Sequence, residues 1–172
     1  MGRGPARQLI LDGALVDTSF LISLAKPGEI NHVAARQYYK GCLDRQVPLY
    51  LSTILVSEFS VKQSVMDLEL RNFIVLPFNI DHGMKAGQLW NLISRDDGDS
   101  KAIVKDDLKL IAQCACEGSI SHLLTGDEKT LAKYLRQLLQ AGQAVPRPVV
   151  LSAGFDESWF SNGQHGLLPP AG

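Results

Sequence analysis

Four carboxylates, Asp17, Glu58, Asp107 and Asp127, stand where an apolar run stops and a strand is expected to hand over to a helix, or in the opening turns of that helix. The two clearest cases are Ala14-Leu15-Val16-Asp17 and Leu123-Leu124-Thr125-Gly126-Asp127. In an open α/β sheet the ligand crevice lies outside the carboxyl ends of the strands, so acids remote in sequence can converge there. Carboxylates gathered in one crevice repel one another and are tolerated when a cation neutralises them. An all-oxygen donor set without His or Cys selects Mg2+ or Mn2+ over zinc. The chemistry such a site supports is activation of water and stabilisation of charge on a phosphodiester in an in-line displacement.

Each acid also has an ordinary structural use. Asp17 and Asp127 can cap the helices that follow them. Glu58 and Lys62 are spaced i, i+4, as an exposed ion pair would be. Asp106 and Asp107 are expected to open a helix that is apolar around most of its circumference, where acids complement the helix dipole. Four independent caps aimed at one sheet edge is a coincidence that a shared metal site does not require. The histidines do not compete as ligands: His32, His82, His122 and His165 fall in a helix, near a helix start, in an apolar strand and in the tail. His122 reads as a core histidine with its hydrogen bonds satisfied.

Positioning these acids requires strands alternating with helices, and the pattern supplies them. Strand-type runs at 14–17, 49–52, 73–78, 119–125 and 148–151 alternate with helical patterns at 30–43, 53–66, 82–94 and 128–140. A short helix before Lys26-Pro27-Gly28 and the helix opened by Asp106 complete the set. The fold class is therefore α/β, an α/β/α sandwich with a mostly parallel sheet. Ser52 or Thr53 and Asp81 are expected N-caps, and residues 95–100, Arg-Asp-Asp-Gly-Asp-Ser, an exposed loop.

The 172 residues suit one domain, expected over 9–160, with flexible tails at 1–8 and 161–172. No apolar run approaches the roughly 20 residues of a membrane span, no signal peptide is expected, and the three cysteines are expected as buried thiols in a reducing cytoplasm. A net charge of −1 gives no global signature of nucleic-acid binding, so any such contact must be local.

Four segments resemble the PIN-domain family, including the VapC-like toxins of bacterial toxin–antitoxin pairs. They are Val16-Asp17-Thr18-Ser19-Phe20-Leu21, the run Ser52 to Phe59 ending in Ser57-Glu58-Phe59, Asp107-Leu108-Lys109-Leu110-Ile111-Ala112, and Leu123-Leu124-Thr125-Gly126-Asp127. The resemblance implies a PIN-like domain that hydrolyses single-stranded RNA with Mg2+ or Mn2+. It places both the catalytic and the metal-binding roles on Asp17, Glu58, Asp107 and Asp127, with Asp107 preferred to Asp106 because it sets Leu110 and Ala112 at the matching apolar positions. Thr18 and Thr125 are implied to orient carboxylates, and a cognate antitoxin protein and a homodimer are the implied partners. Lys101, Lys105, Lys109, Lys129, Lys133 and Arg136 are the nearby bases that could hold phosphates.

The competing reading is a weakly or non-catalytic PIN-like protein-binding module; Tyr38, Tyr39, Phe59 and Trp90 would fit its interface, and core packing accounts for them equally well. A haloacid-dehalogenase-type phosphatase would need a second acid two residues after Asp17, where Ser19 stands. A receiver domain would need paired acids at the end of the first strand, and here they come at Asp106-Asp107.

Overall fold

The computed structural model describes residues 9–161. The tail expected at 1–8, and the one expected from 161 onward apart from Ser161, lie outside the described residues, as does His165.

Five strands, β1 (Ala14–Val16), β2 (Leu49–Ser52), β3 (Ile74–Leu76), β4 (His122–Thr125) and β5 (Arg147–Val150), form one parallel sheet in the order β3-β2-β1-β4-β5. The middle strands β1 and β4 are buried throughout, as expected of parallel strands covered on both faces. At the edge, Ile74 and Val75 of β3 are half exposed.

Among the described residues six α-helices connect and cover the strands: α1 (Thr18–Ala25), α2 (His32–Asp44), α3 (Thr53–Lys62), α4 (Ile80–Trp90), α5 (Lys101–Cys116) and α6 (Leu131–Gln140). From β1 the chain steps outward through β2 to β3, then returns past β1 to β4 and steps outward again to β5. Right-handed crossovers put helices of opposite stepping direction on opposite faces. Thus α1, α2 and α3 share one face and α4, α5 and α6 the other, and the helix pairs that pack together, α1 with α2 and α3, and α5 with α4 and α6, follow that division. The stepping direction reverses between β1 and β4, which opens a crevice at their carboxyl ends. Among the described residues no helix is long and apolar enough to cross a membrane.

The core shared by these layers includes Phe20, Tyr38, Phe59 and Tyr134, each almost fully buried. Burying a side chain of this kind contributes roughly 1.5–3 kcal/mol. Tyr38 and Phe59 are therefore structural and not part of an exposed interface, whereas Tyr39 and Trp90 are half-buried.

Several boundaries depart from expectation for local reasons. Helix α5 begins at Lys101, so Asp106 and Asp107 sit in its second turn and cap nothing. Helix α4 is capped by Asn79 and not by Asp81: the Asn79 carboxamide accepts the His82 N–H, and the His82 ring accepts the Asn79 N–H. Helix α3 ends at Lys62 because Gln63 is extended, and α6 starts at Leu131, after a turn made by Asp127. Ser52 caps α3 as expected. Cys42 and Cys114 are buried, but Cys116 is exposed, since two steps along a helix turn a side chain to the other face. His122 is buried against the Trp159 edge with Nδ1 bonded to the Ser121 hydroxyl, yet its Nε2 has no partner among the described residues. Burial, and next the charge of Arg147, lower its pKa to about 4, so it stays neutral.

Candidate active site

Strand β1 ends at Val16, and Asp17 is the next residue. The Asp17 N–H donates to Leu124 O on β4 at 3.2 Å, which extends the β1–β4 ladder by one residue and aims the side chain out of the sheet end. The carboxylate caps α1 by accepting the Phe20 N–H at Oδ1, 2.8 Å. Ser19 Oγ lies 2.7 and 2.8 Å from its two oxygens, and Thr125 Oγ1 donates to Oδ2 at 2.5 Å. Asp17 is thus both a helix cap and a site carboxylate, so its two readings do not exclude each other.

The same hydroxyls tie in β4. Thr125 Oγ1 accepts the Asp127 N–H at 2.8 Å, and Ser19 Oγ accepts the Gly126 N–H at 2.7 Å. A Cβ built on Gly126 would stand 3.2 Å from Ser19 Oγ, so glycine here lets the two strand-end loops approach closely. Asp127 holds the turn before α6: Oδ1 accepts the Lys129 and Thr130 N–H groups, and Oδ2 accepts the Thr130 hydroxyl at 2.7 Å. Glu58, in the second turn of α3, accepts the Thr18 hydroxyl at 2.8 Å. No ion pair joins it to Lys62 among the described residues, so the i, i+4 pairing is not made.

All four acids line one cleft of about 390 Å³, together with Thr18, Ser19, Lys62 and Asp106. Asp106 is engaged with Lys109 at 2.7 Å, while Asp107 is only 9% exposed and its Oδ2 has no partner among the described residues. Burial pushes the Asp107 pKa up to about 7. The Thr130 hydroxyl opposes the shift, and the charges of Asp127, Asp17 and Glu58 add to it. Burial also raises Asp17 to about 6, against the hydrogen bonds from Thr125, Ser19 and Phe20, with a further push from Asp127. None of the four forms an ion pair with a Lys or Arg among the described residues.

Among the described residues no three His, Cys, Asp or Glu side chains form a ready-made metal cage. The acids line an open cleft, and the test of fit rests on donor chemistry. An all-oxygen set in which burial raises Asp17 and Asp107, with one orphaned buried oxygen, suits a hard divalent cation. Ser19 and Thr130 were not singled out in the sequence. The signals for them are hydroxyls two and three residues after an aspartate, the spacing of local side-chain turns. Of the expected phosphate-binding bases, Lys133 is not free, since it pairs with Asp96 and Asp99.

No model of a known protein family matches the sequence, and no curated protein matches it. The fold does match solved structures. One is VapC20 of Mycobacterium tuberculosis, a toxin that cleaves the sarcin-ricin loop, with TM-score 0.50 and 19% identity over 68% of this chain and 92% of that one. Another is the DNA-bound VapBC of Salmonella typhimurium, with TM-score 0.52 and 14% identity over 83% of this chain and 99% of that one.

Proposed function

We propose, on the premise of a PIN-domain, VapC-like fold, that this chain is a metal-dependent endoribonuclease acting on single-stranded RNA, and the toxin of a toxin–antitoxin pair. The observation that carries the reading is the buried, unpartnered Oδ2 of Asp107 in a cleft that holds four further carboxylates, of which only Asp106 has a lysine or arginine partner among the described residues. Such an arrangement costs folding free energy unless a cation completes it.

In this reading Asp17, Glu58, Asp107 and Asp127 would hold Mg2+ or Mn2+. When bound, the ion supplies Lewis acidity toward the phosphate and toward a water nucleophile. The rest of the work falls to the chain. Ser19 and Thr125 fix both oxygens of Asp17, Thr18 fixes Glu58 and Thr130 fixes Asp127, so the cleft is preorganised at little reorganisation cost. Lys62 on the cleft wall offers a positive charge for the scissile phosphate or its neighbour. An antitoxin protein is the proposed partner, and fold-level likeness to a VapBC supports it. The competing reading, a binding module without catalysis, loses two of its four anchors because Tyr38 and Phe59 are in the core.

The test is cleavage of a mixed single-stranded RNA pool with Mn2+, Mg2+ or EDTA, alongside folded Asp17→Asn and Asp127→Asn proteins. Cutting that needs metal and disappears in both variants upholds the proposal. A wild type that cuts nothing, and whose melting temperature does not rise with metal, sinks it.

A further inference from the structure

A second cavity lies on the far side of α5. It measures about 340 Å³ and is lined by Gly87 and Trp90 of α4 and by Lys101, Lys105, Leu108 and Lys109 of α5. The half-buried Trp90 indole forms part of its wall, and the ammonium groups of Lys101 and Lys105 stand 5.9 and 5.8 Å from the ring centroid. Those distances are at the edge of cation–π range, so the lysine heads are only loosely held. Neither pairs with a carboxylate among the described residues. With Lys109 they make a stripe at i, i+4 and i+8, roughly 6 Å apart along the helix.

We propose that this groove binds single-stranded RNA, with one base stacked on Trp90 and the flanking phosphates on Lys101 and Lys105. An aromatic face beside a row of cations is how proteins hold unpaired nucleotides without reading their sequence. An acidic peptide would use the lysines but has no need of the indole face. The position of the groove favours a substrate track: Lys109 lines it, Asp106 lines the acidic cleft, and the bond between them at 2.7 Å is the shared wall. A strand leaving the cleft over that wall enters the groove within one turn of α5. This inference rests on the nuclease reading for its substrate, and its test does not use cleavage.

The test is titration of the full chain, carrying Trp159→Phe so that Trp90 alone reports, with an unstructured RNA 12-mer in EDTA. Saturable quenching of Trp90 emission is expected, and anisotropy of the same 12-mer carrying a fluorescein label should show affinity about tenfold weaker in Trp90→Leu. The Lys101→Ala/Lys105→Ala double variant should lower the slope of log affinity against log salt by about 1.4. Because Trp90 packs against the core, Gly87→Glu is the parallel variant: nothing lies within 4 Å of a Cβ built there, and the new carboxylate would repel phosphate. RNA that binds with unchanged Trp90 emission and is indifferent to Gly87→Glu overturns the groove. So does a polyglutamate peptide that quenches Trp90 where RNA does not, which would assign the groove to an acidic protein partner. Groove binding by a protein that cuts nothing with any metal keeps this inference and removes the nuclease reading. Cleavage with an indifferent groove does the reverse.

Discussion

Two groups of aspartates, one in the loop before α5 and one in the acidic cleft, are treated in opposite ways. In the loop before α5, Asp96 and Asp99 are met by Lys133, and the Tyr134 hydroxyl donates to Asp99, which holds the Asp99 carboxyl below its usual range. In the cleft, Asp17 and Asp107 sit among other acids with no basic partner, and their pKa values rise to about 6 and about 7. The same side chain is a tether in one place and a cost in the other. The lesson is that charge count along the sequence says little, and that the partner each carboxylate receives decides whether it serves the fold or remains available to a ligand.

The largest effect expected is on turnover. Asp17→Asn and Asp127→Asn should each reduce metal-dependent RNA cleavage by at least about 100-fold, read from initial rates. Variants of the loop pair, Asp96→Asn or Lys133→Met, should leave the rate per folded molecule unchanged. If both groups proved equally important for cleavage, the contrast between them would be false.

A second effect is on stability and has the opposite sign. Without metal, Asp107→Asn should stabilise the protein by about 2 kcal/mol at pH 7.5, because it removes a buried charge that repels its neighbours. For a domain of this size that raises the melting temperature by roughly 4–8 °C. An unchanged or lower melting temperature would show that the charge is already compensated.

The pH dependence should separate the two groups further. Asp17 and Asp107 have folded-state values above the unfolded 3.8, so their protonated forms favour folding fully below about pH 4, and that contribution is lost as the pH climbs through 6 to 7. Thermal melts in EDTA should carry a component that falls between pH 5 and 8, and Mn2+ should offset it most at the upper end. Asp99 has a lowered value, so its contribution is present above the unfolded value and disappears only in acid. In the Lys133→Met protein that acid component should shrink while the Mn2+ response persists.

The smallest change worth measuring is Gly126→Ala. Its methyl group would press on Ser19 Oγ, the hydroxyl that holds Asp17, at 3.2 Å. A several-fold loss of turnover at nearly unchanged melting temperature is expected. A large loss of stability would place Gly126 among the residues that build the fold.

The strands were legible because their apolar runs are short and bounded, and the convergence of the four acids on one cleft was foreshadowed most clearly at Asp17, directly after β1, and Asp127, two residues after β4. The start of α5 was not. Lys101-Ala102-Ile103-Val104 follows a polar loop, and nothing local distinguishes it from a continuation of that loop until Val104 is seen to be buried. Neither a solvated face nor a phosphate contact, the two sequence readings of Lys133, foresees its pairing with Asp96 and Asp99, because those partners lie 37 and 34 residues away. Core and interface readings of Tyr38 and Phe59 stay open in the sequence because a helix pattern does not say which of its apolar residues face the sheet. In each case the missing information was a contact between distant segments.

The double duty of Asp17 has a practical side. Asparagine caps a helix as well as aspartate does, and the Thr125 hydroxyl can rotate to accept from the amide it would face. Replacing this one oxygen by nitrogen therefore silences the carboxylate without loosening α1, whereas alanine would do both at once. The asparagine protein is the natural reagent for trapping an intact bound strand, for crystallisation or crosslinking, in an architecture that is otherwise unaltered.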